Sequence, residues 1–116
     1  MGVVTNVSNA YQKCIDACSR CAQACYECLE ACLNEADVKA RTSCIKMLME
    51  CARMCEMSVA GMSSNARFAK EHCALCATVC DACAKDCEMF NDDHCQKCAQ
   101  ICTDCANECR SMSGMA

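Results

Sequence analysis

The sequence predicts an all-α protein: an antiparallel, up-down-up-down four-helix bundle with a cysteine-lined core, formed by one domain over residues 1–116. Three observations support this prediction. The 116 residues include no proline and only three glycines, two of them near the ends of the chain. Residues that favour helices, namely alanine, methionine, glutamate, lysine and glutamine, together make up more than a third of the chain. The 19 cysteines recur mostly in steps of three and four residues, which places them on one face of each helix.

The first two helices are predicted on either side of a polar connection at residues 34–37. Six cysteines from Cys14 to Cys32 mark the first helix, and Asp37 is the expected N-cap of the second. The second helix departs from the pattern, because its inner face combines three cysteines with other residue types. We therefore expect a thinner thiol lining there, along Cys44, Leu48, Cys51, Cys55, Ser58 and Met62.

The third and fourth helices are predicted from turn residues and from a repeat. Gly61 is expected to end the second helix, with Ser63 or Ser64 as the next N-cap. Residues 91–93 (Asn-Asp-Asp) supply the cap of the fourth helix, which ends before Gly114. The units CALCATV, CDACAKD, CQKCAQI and CTDCANE repeat every seven residues. This period keeps the cysteine face towards the bundle axis.

Composition excludes several classes of function. The net charge is −4, there is no block of Lys or Arg, and the chain has no Trp, which argues against nucleic acid or an anionic membrane as partner. The first residues, MGVVTNVSNAYQKC, lack the basic start and apolar run of a secretion signal, so we expect a cytoplasmic protein. Thiols stay reduced in that compartment, and the pattern therefore favours metal binding over disulfides.

Ligand chemistry favours Cu(I). Thiolates select Cu(I), zinc or iron–sulfur clusters, and a column of zinc tetrathiolate sites would bury two negative charges per site. Cu(I) bridged by thiolates approaches one metal per thiolate and cancels that charge. A zinc or cadmium thiolate buffer is the alternative. A thiol oxidoreductase is less favoured, because it would need one exposed Cys-x-x-Cys at a helix start.

Two stretches, EHCALCATVCDACAKDC and DDHCQKCAQICTDCANECRSM, carry a resemblance to the cytosolic branch of the bacterial copper storage proteins. The resemblance covers nearly the whole chain. It implies a cytoplasmic homotetramer that stores many Cu(I) ions in each protomer, with copper donor or acceptor proteins as further partners. The implied metal ligands are Cys14, Cys18, Cys21, Cys25, Cys28, Cys32, Cys44, Cys51, Cys55, Cys73, Cys76, Cys80, Cys83, Cys87, Cys95, Cys98, Cys102, Cys105 and Cys109, with His94.

The resemblance also implies a histidine-rich turn between the third and fourth helices, where metal enters. This sequence keeps only His94 there, with Phe90 and Asp92 at positions where further histidines are expected. We expect Cu(I) to enter at this end, and we also consider His72 as a ligand near the other end.

Two apolar features complete the sequence predictions. A hydrophobic plug is expected at the end opposite His94, made by Met57, Met62, Met112 and Met115 with Tyr11, Val7 and Val4, and with Met54 further inside. A second apolar stripe lies off the cysteine face and favours burial between protomers or between helices. Its members are Ile15, Ala22, Leu29, Ile45, Ala52, Val59, Phe68, Leu75, Ala82 and Met89.

Overall fold

The computed structural model describes residues 2–5 and 9–114, which form four α-helices joined by short connections. Each helix packs against two neighbours, in the ring order α1, α2, α3, α4. The molecule measures 49 × 28 × 19 Å. The predicted all-α fold and four-helix bundle are confirmed. The helices are α1 (Gln12–Leu33), α2 (Thr42–Ser63), α3 (Ala69–Glu88) and α4 (Asp93–Ser113), and a short 3₁₀ helix (Val38–Arg41) precedes α2.

Cysteine forms the centre of this bundle. All nineteen cysteine side chains are buried, none more than 3% exposed. Small residues flank them, since Ala77 and Ala84 on α3 and Ala99 and Ala106 on α4 are buried beside the thiols. A neutral thiol packs as a small hydrophobic group, so the core is built from sulfur where most bundles use leucine.

The inner face of α2 matches its sequence prediction. Leu48, Ser58 and Met62 are all fully buried, in line with the three cysteines of that helix. The inner face of α2 therefore carries fewer thiols than the inner faces of the other three helices.

The start of α2 differs from the prediction. Asp37 does not cap α2, which begins at Thr42 after the 3₁₀ helix. The Asp37 carboxylate instead accepts a hydrogen bond from Nε of Arg41 at 2.7 Å. Because the Asp37 carboxylate binds Arg41, it is not available to cap α2. A short 3₁₀ helix precedes α2 instead.

Gly61 is not a helix stop. It lies inside α2, where a Cβ atom would stand 3.7 Å from Cδ2 of His72, an ordinary van der Waals distance. The left-handed backbone conformation falls on Asn65 instead, with φ of 51°. α2 accordingly continues to Ser63.

Neither Ser63 nor Ser64 caps α3. That helix begins at Ala69, and the Ser64 hydroxyl donates back to the Ala60 carbonyl oxygen at 2.8 Å. A serine that satisfies the end of α2 is not free to begin the next helix.

The ends of α4 follow the sequence more closely. Asp92 occupies the N-cap position, but its carboxylate forms an ion pair with Arg41 at 2.5 Å. Asp93 is the first helical residue, and Asn91 precedes the cap. Gly114 ends the helix with φ of 80°, as predicted.

The predicted hydrophobic plug forms only in part. Met62 is fully buried, and Tyr11, Met54 and Met112 pack against the core. Met57 is 53% exposed because it lies off the inner face of α2, and Val4 is 92% exposed because α1 begins only at Gln12. Val7 and Met115 lie outside the described residues.

The second apolar stripe divides between helices. Its members on α1 and α2, such as Ile15, Leu29 and Ile45, pack against the core. Three members at α3 are exposed: Phe68, Leu75 and Met89. No helix in the described part of the chain is both long and apolar enough to cross a bilayer.

Candidate metal centre

The thiols of α1 and α4 form one regular wall, here called the α1–α4 wall. Two α1 cysteines four residues apart flank each of three α4 cysteines, and both series advance by seven residues. The shared period keeps the two helices in register. The Sγ–Sγ distances are 3.7 and 3.6 Å from Cys14 and Cys18 to Cys109, 3.7 and 3.8 Å from Cys21 and Cys25 to Cys102, and 3.8 Å from both Cys28 and Cys32 to Cys95.

The thiols of α2 and α3 form the facing α2–α3 wall. Cys51 lies 3.7 Å from Cys80, and Cys55 lies 3.8 Å from both Cys76 and Cys80. These separations are well above the bond length of about 2.0 Å in a disulfide, and all nineteen cysteines are free thiols.

The two walls meet in groups of sulfur atoms within 4.8 Å of one another. Cys21, Cys55, Cys80 and Cys105 form one such group, with one thiol from each helix. A metal ion at the bundle axis can therefore take ligands from all four helices. Further groups are Cys18, Cys76, Cys105 and Cys109; Cys21, Cys25, Cys51 and Cys102; and Cys28, Cys87 and Cys98.

His94 joins the thiols at one end of the column. Its Nδ1 lies 3.5 Å from the sulfurs of both Cys28 and Cys95, and Cys32 completes the group. Nε2 lies 2.9 Å from Oε2 of Glu35, which orients the ring as carboxylates commonly do for metal-binding histidines. The imidazole is 27% exposed and so connects the buried sulfurs with solvent.

A buried arginine at the same end was missed by sequence reasoning. Arg41 is 4% exposed, and its Nη1 donates to the sulfurs of Cys32 and Cys95 at 3.6 Å. The carboxylate of Asp37 raises the pKa of Arg41, and the guanidinium lowers the pKa of Asp37. The spacing of Asp37 and Arg41, four residues apart, was the available signal, but it is common on exposed helices.

Burial keeps thiols at the two ends of the column protonated in the absence of metal. It raises the pKa of Cys73 and of Cys95 to about 12 in each case. A metal ion that binds here must displace these protons, and binding is therefore coupled to proton release.

His72 has a different setting. It is half-buried, and its ring packs against Gly61 of α2. Its role as a ligand remains a prediction.

Thiols from all four helices in mutual contact inside a folded bundle define a thiolate metal-binding protein, with soft ligands suited to Cu(I) or zinc. The family model that matches residues 7–114 is that of the copper storage protein, Csp. The chain belongs to this family.

Solved structures of related proteins support this assignment to the family. The metal-free copper storage protein 3 from Bacillus subtilis is 43% identical, with 88% of this chain and 97% of that chain covered and a TM-score of 0.83. The Cu(I)-bound copper storage protein BsCsp3 is 45% identical, with coverage of 88% and 96% and a TM-score of 0.83. A cytosolic copper storage protein from Streptomyces lividans with five coppers is 36% identical, with coverage of 90% and 92% and a TM-score of 0.85.

Proposed function

We propose that this protein stores and buffers many Cu(I) ions inside the bundle, with all nineteen cysteine thiolates and His94 as ligands. The observation that carries the proposal is the continuity of the thiol column. Neighbouring sulfurs are 3.6 to 4.0 Å apart along the bundle, so one thiolate is close enough to its neighbours to bridge two metal ions.

Charge favours Cu(I) over zinc as the cargo. Near one Cu(I) per thiolate, the positive and negative charges inside the bundle cancel. Zinc in tetrathiolate sites would leave two negative charges per site. Within the described residues, Arg41 is the buried side chain that carries a charge, which is too little to balance several such sites.

Storage fits the thiols better than catalysis does. A thiol oxidoreductase presents an accessible thiolate to its substrate, whereas every cysteine here is at most 3% exposed. The zinc or cadmium buffer is the second candidate, supported by four-sulfur groups such as Cys21, Cys25, Cys51 and Cys102.

We further propose a cytoplasmic homotetramer that exchanges copper with donor or acceptor proteins. The cytosolic relative from Streptomyces lividans supports the location. Exposed Phe68, Leu75 and Met89 support assembly, because contact between protomers would cover these apolar side chains. Light scattering should give a mass about four times 12.6 kDa, and a mass near 12.6 kDa would contradict the assembly.

Titration of the reduced, metal-free protein with Cu(I) under anaerobic conditions, against a competing chelator, tests the function. We expect an endpoint comparable to the number of thiols, and a much smaller endpoint with zinc. An endpoint of about four or five Cu(I) per chain would contradict the bridged-thiolate arrangement.

A second experiment tests which end admits copper. His94→Ala should slow loading and chelator-driven removal several-fold while leaving the final capacity nearly unchanged, because the storage thiols remain intact. Met62→Leu, at the opposite end, is the control and should leave both rates unchanged. Slowing by Met62→Leu alone would place the route at the other end.

A further inference from the structure

The guanidinium of Arg41 covers one side of the column at the His94 end. Its Nη1 donates to Cys32 and Cys95, the thiols that end the α1–α4 wall on this side. The Arg41 side chain is only 5% exposed, so it separates these two sulfurs from solvent.

Three further groups fix this guanidinium. Nε donates to Asp37 at 2.7 Å, Nη2 is paired with Asp92 at 2.5 Å, and the Phe90 ring centre lies 4.5 Å from Cζ. Asp37 belongs to the connection that follows α1, whereas Asp92 and Phe90 belong to the turn before α4. Arg41 therefore ties the two connections together across the end of the bundle. The planar fork of an arginine can serve several partners at once, which a lysine cannot do.

His94 shares one of these thiols, Cys95, with Arg41, and it is more open to solvent. Its side chain is 27% exposed, against 5% for Arg41, and Nδ1 reaches Cys28 and Cys95 at 3.5 Å. The two sides also differ in chemistry. The imidazole nitrogen is a ligand for Cu(I), whereas the guanidinium carries a positive charge and has no lone pair to offer.

We propose that Arg41 seals one side of this end, so that Cu(I) reaches the column past His94, at Cys28 and Cys95, and not past the guanidinium. The proposal rests on the proposed function of copper storage. The guanidinium forms this seal by its position, because Nη1 lies 3.6 Å from both sulfurs, the side chain is only 5% exposed, and it offers no lone pair to an approaching Cu(I) ion. Arg41 is in this sense a positioning residue, because it directs copper to the imidazole.

Loading rates of four proteins test the proposal: the unmodified chain, Arg41→Ala, His94→Ala and the double variant. The probe is Cu(I) supplied from a chelator under anaerobic conditions. We expect Arg41→Ala to load several-fold faster, because the side chain that covers Cys32 and Cys95 is removed. We also expect His94→Ala to slow loading when Arg41 is present. When it is combined with Arg41→Ala, it should have little further effect on the rate. The endpoint should stay comparable to the number of thiols in all four proteins.

Arg53→Ala is the matched control, because it removes the same charge from an exposed position on α2. Its loading rate should equal that of the unmodified chain. Asp92→Asn provides a second route to the answer, since it loosens one anchor of the guanidinium and leaves the arginine in place. We expect a smaller acceleration from it, and it carries the test alone if circular dichroism shows that Arg41→Ala is not helical.

Equal slowing by His94→Ala with and without Arg41 would overturn the proposal. So would an unchanged loading rate in folded Arg41→Ala or Asp92→Asn. Failure of the storage function has a different signature, because the unmodified protein would then show a low Cu(I) endpoint whatever its rate.

Discussion

The α1–α4 and α2–α3 walls of the column share the same seven-residue period, but they differ in the number of cysteines that they carry. The α1–α4 wall contributes eleven cysteines and the α2–α3 wall contributes eight. On α1, pairs such as Cys14 and Cys18 flank a single α4 thiol. On α2, Leu48 and Ser58 occupy two of the positions that thiols would take.

The difference lies in one helix, since α3 and α4 carry five cysteines each. α2 keeps the packing period but carries leucine, serine and methionine at positions where the other helices carry thiols. Packing and metal binding are thus separable within one inner face, because leucine, serine and methionine all fit where cysteine does.

Alkaline pH should produce the largest effect, the loss of the metal-free fold. Burial raises the pKa of Cys95 in the α1–α4 wall and of Cys73 in the α2–α3 wall from 9.0 to about 12. The folded state holds these protons more tightly than the unfolded chain does. Their contribution to the free energy of unfolding is therefore complete below about pH 9 and is lost as the pH rises towards 12. Circular dichroism should show a helical protein at neutral pH that unfolds in this window.

The copper-loaded protein is the control for this experiment. Its ligating thiols have already released their protons, so its helical signal should persist through the same pH range. Backbone amide hydrogen exchange in the metal-free protein then compares the two walls. As the pH rises, we expect the amides of α1 and α4 to exchange first, because these helices carry more thiols. A metal-free protein that is unfolded at neutral pH would contradict the role of neutral thiols as core.

A matched pair of cysteine variants should have the next largest effect, on capacity. Cys102 contacts Cys21, Cys25 and Cys98 at 3.7, 3.8 and 4.0 Å, whereas Cys44 contacts Cys87 at 3.9 Å. Anaerobic titration should show a loss of about two Cu(I) ions for Cys102→Ser and about one for Cys44→Ser, since a thiolate with more neighbours bridges more ions. Equal losses would mean that the walls bind copper equivalently.

The smallest effect should come from Ser58. Its hydroxyl is buried and has no hydrogen-bond partner among the described residues. Ser58→Ala should raise the free energy of unfolding of the metal-free protein by about 1 kcal/mol, measured by denaturant titration. Ser64→Ala is the control and should give no gain, because that hydroxyl already donates to Ala60. Loss of copper capacity in Ser58→Ala would identify the hydroxyl as a ligand.

The heptad pattern was sufficient to predict the helices and the buried thiols. A cysteine every three or four residues can lie on one face only in a helix, and with so few large aliphatic residues that face must be the core. The same reasoning placed Leu48, Ser58 and Met62 inside α2 without any further signal. Periodicity therefore determines which side chains face the axis.

Features that depend on contacts between distant residues were not predictable in this way. Arg41 looks like an ordinary surface residue until the turn carrying Phe90 and Asp92 is folded against it. The predicted ends of α2 were wrong for a similar reason. The Asp37 carboxylate binds Arg41, which is held in turn by Asp92 and Phe90 of the distant turn. The left-handed conformation falls on Asn65 and not on Gly61.

The register of Cys95, Cys102 and Cys109 has a consequence for size. Seven residues of helix rise about 10.5 Å, so the α4 sulfurs divide the bundle into equal segments of that length. One heptad added to all four helices would insert another segment without changing the chemistry of the existing ones. The amount of metal that such a protein can hold is then set by how long the bundle is, while its cross-section stays constant.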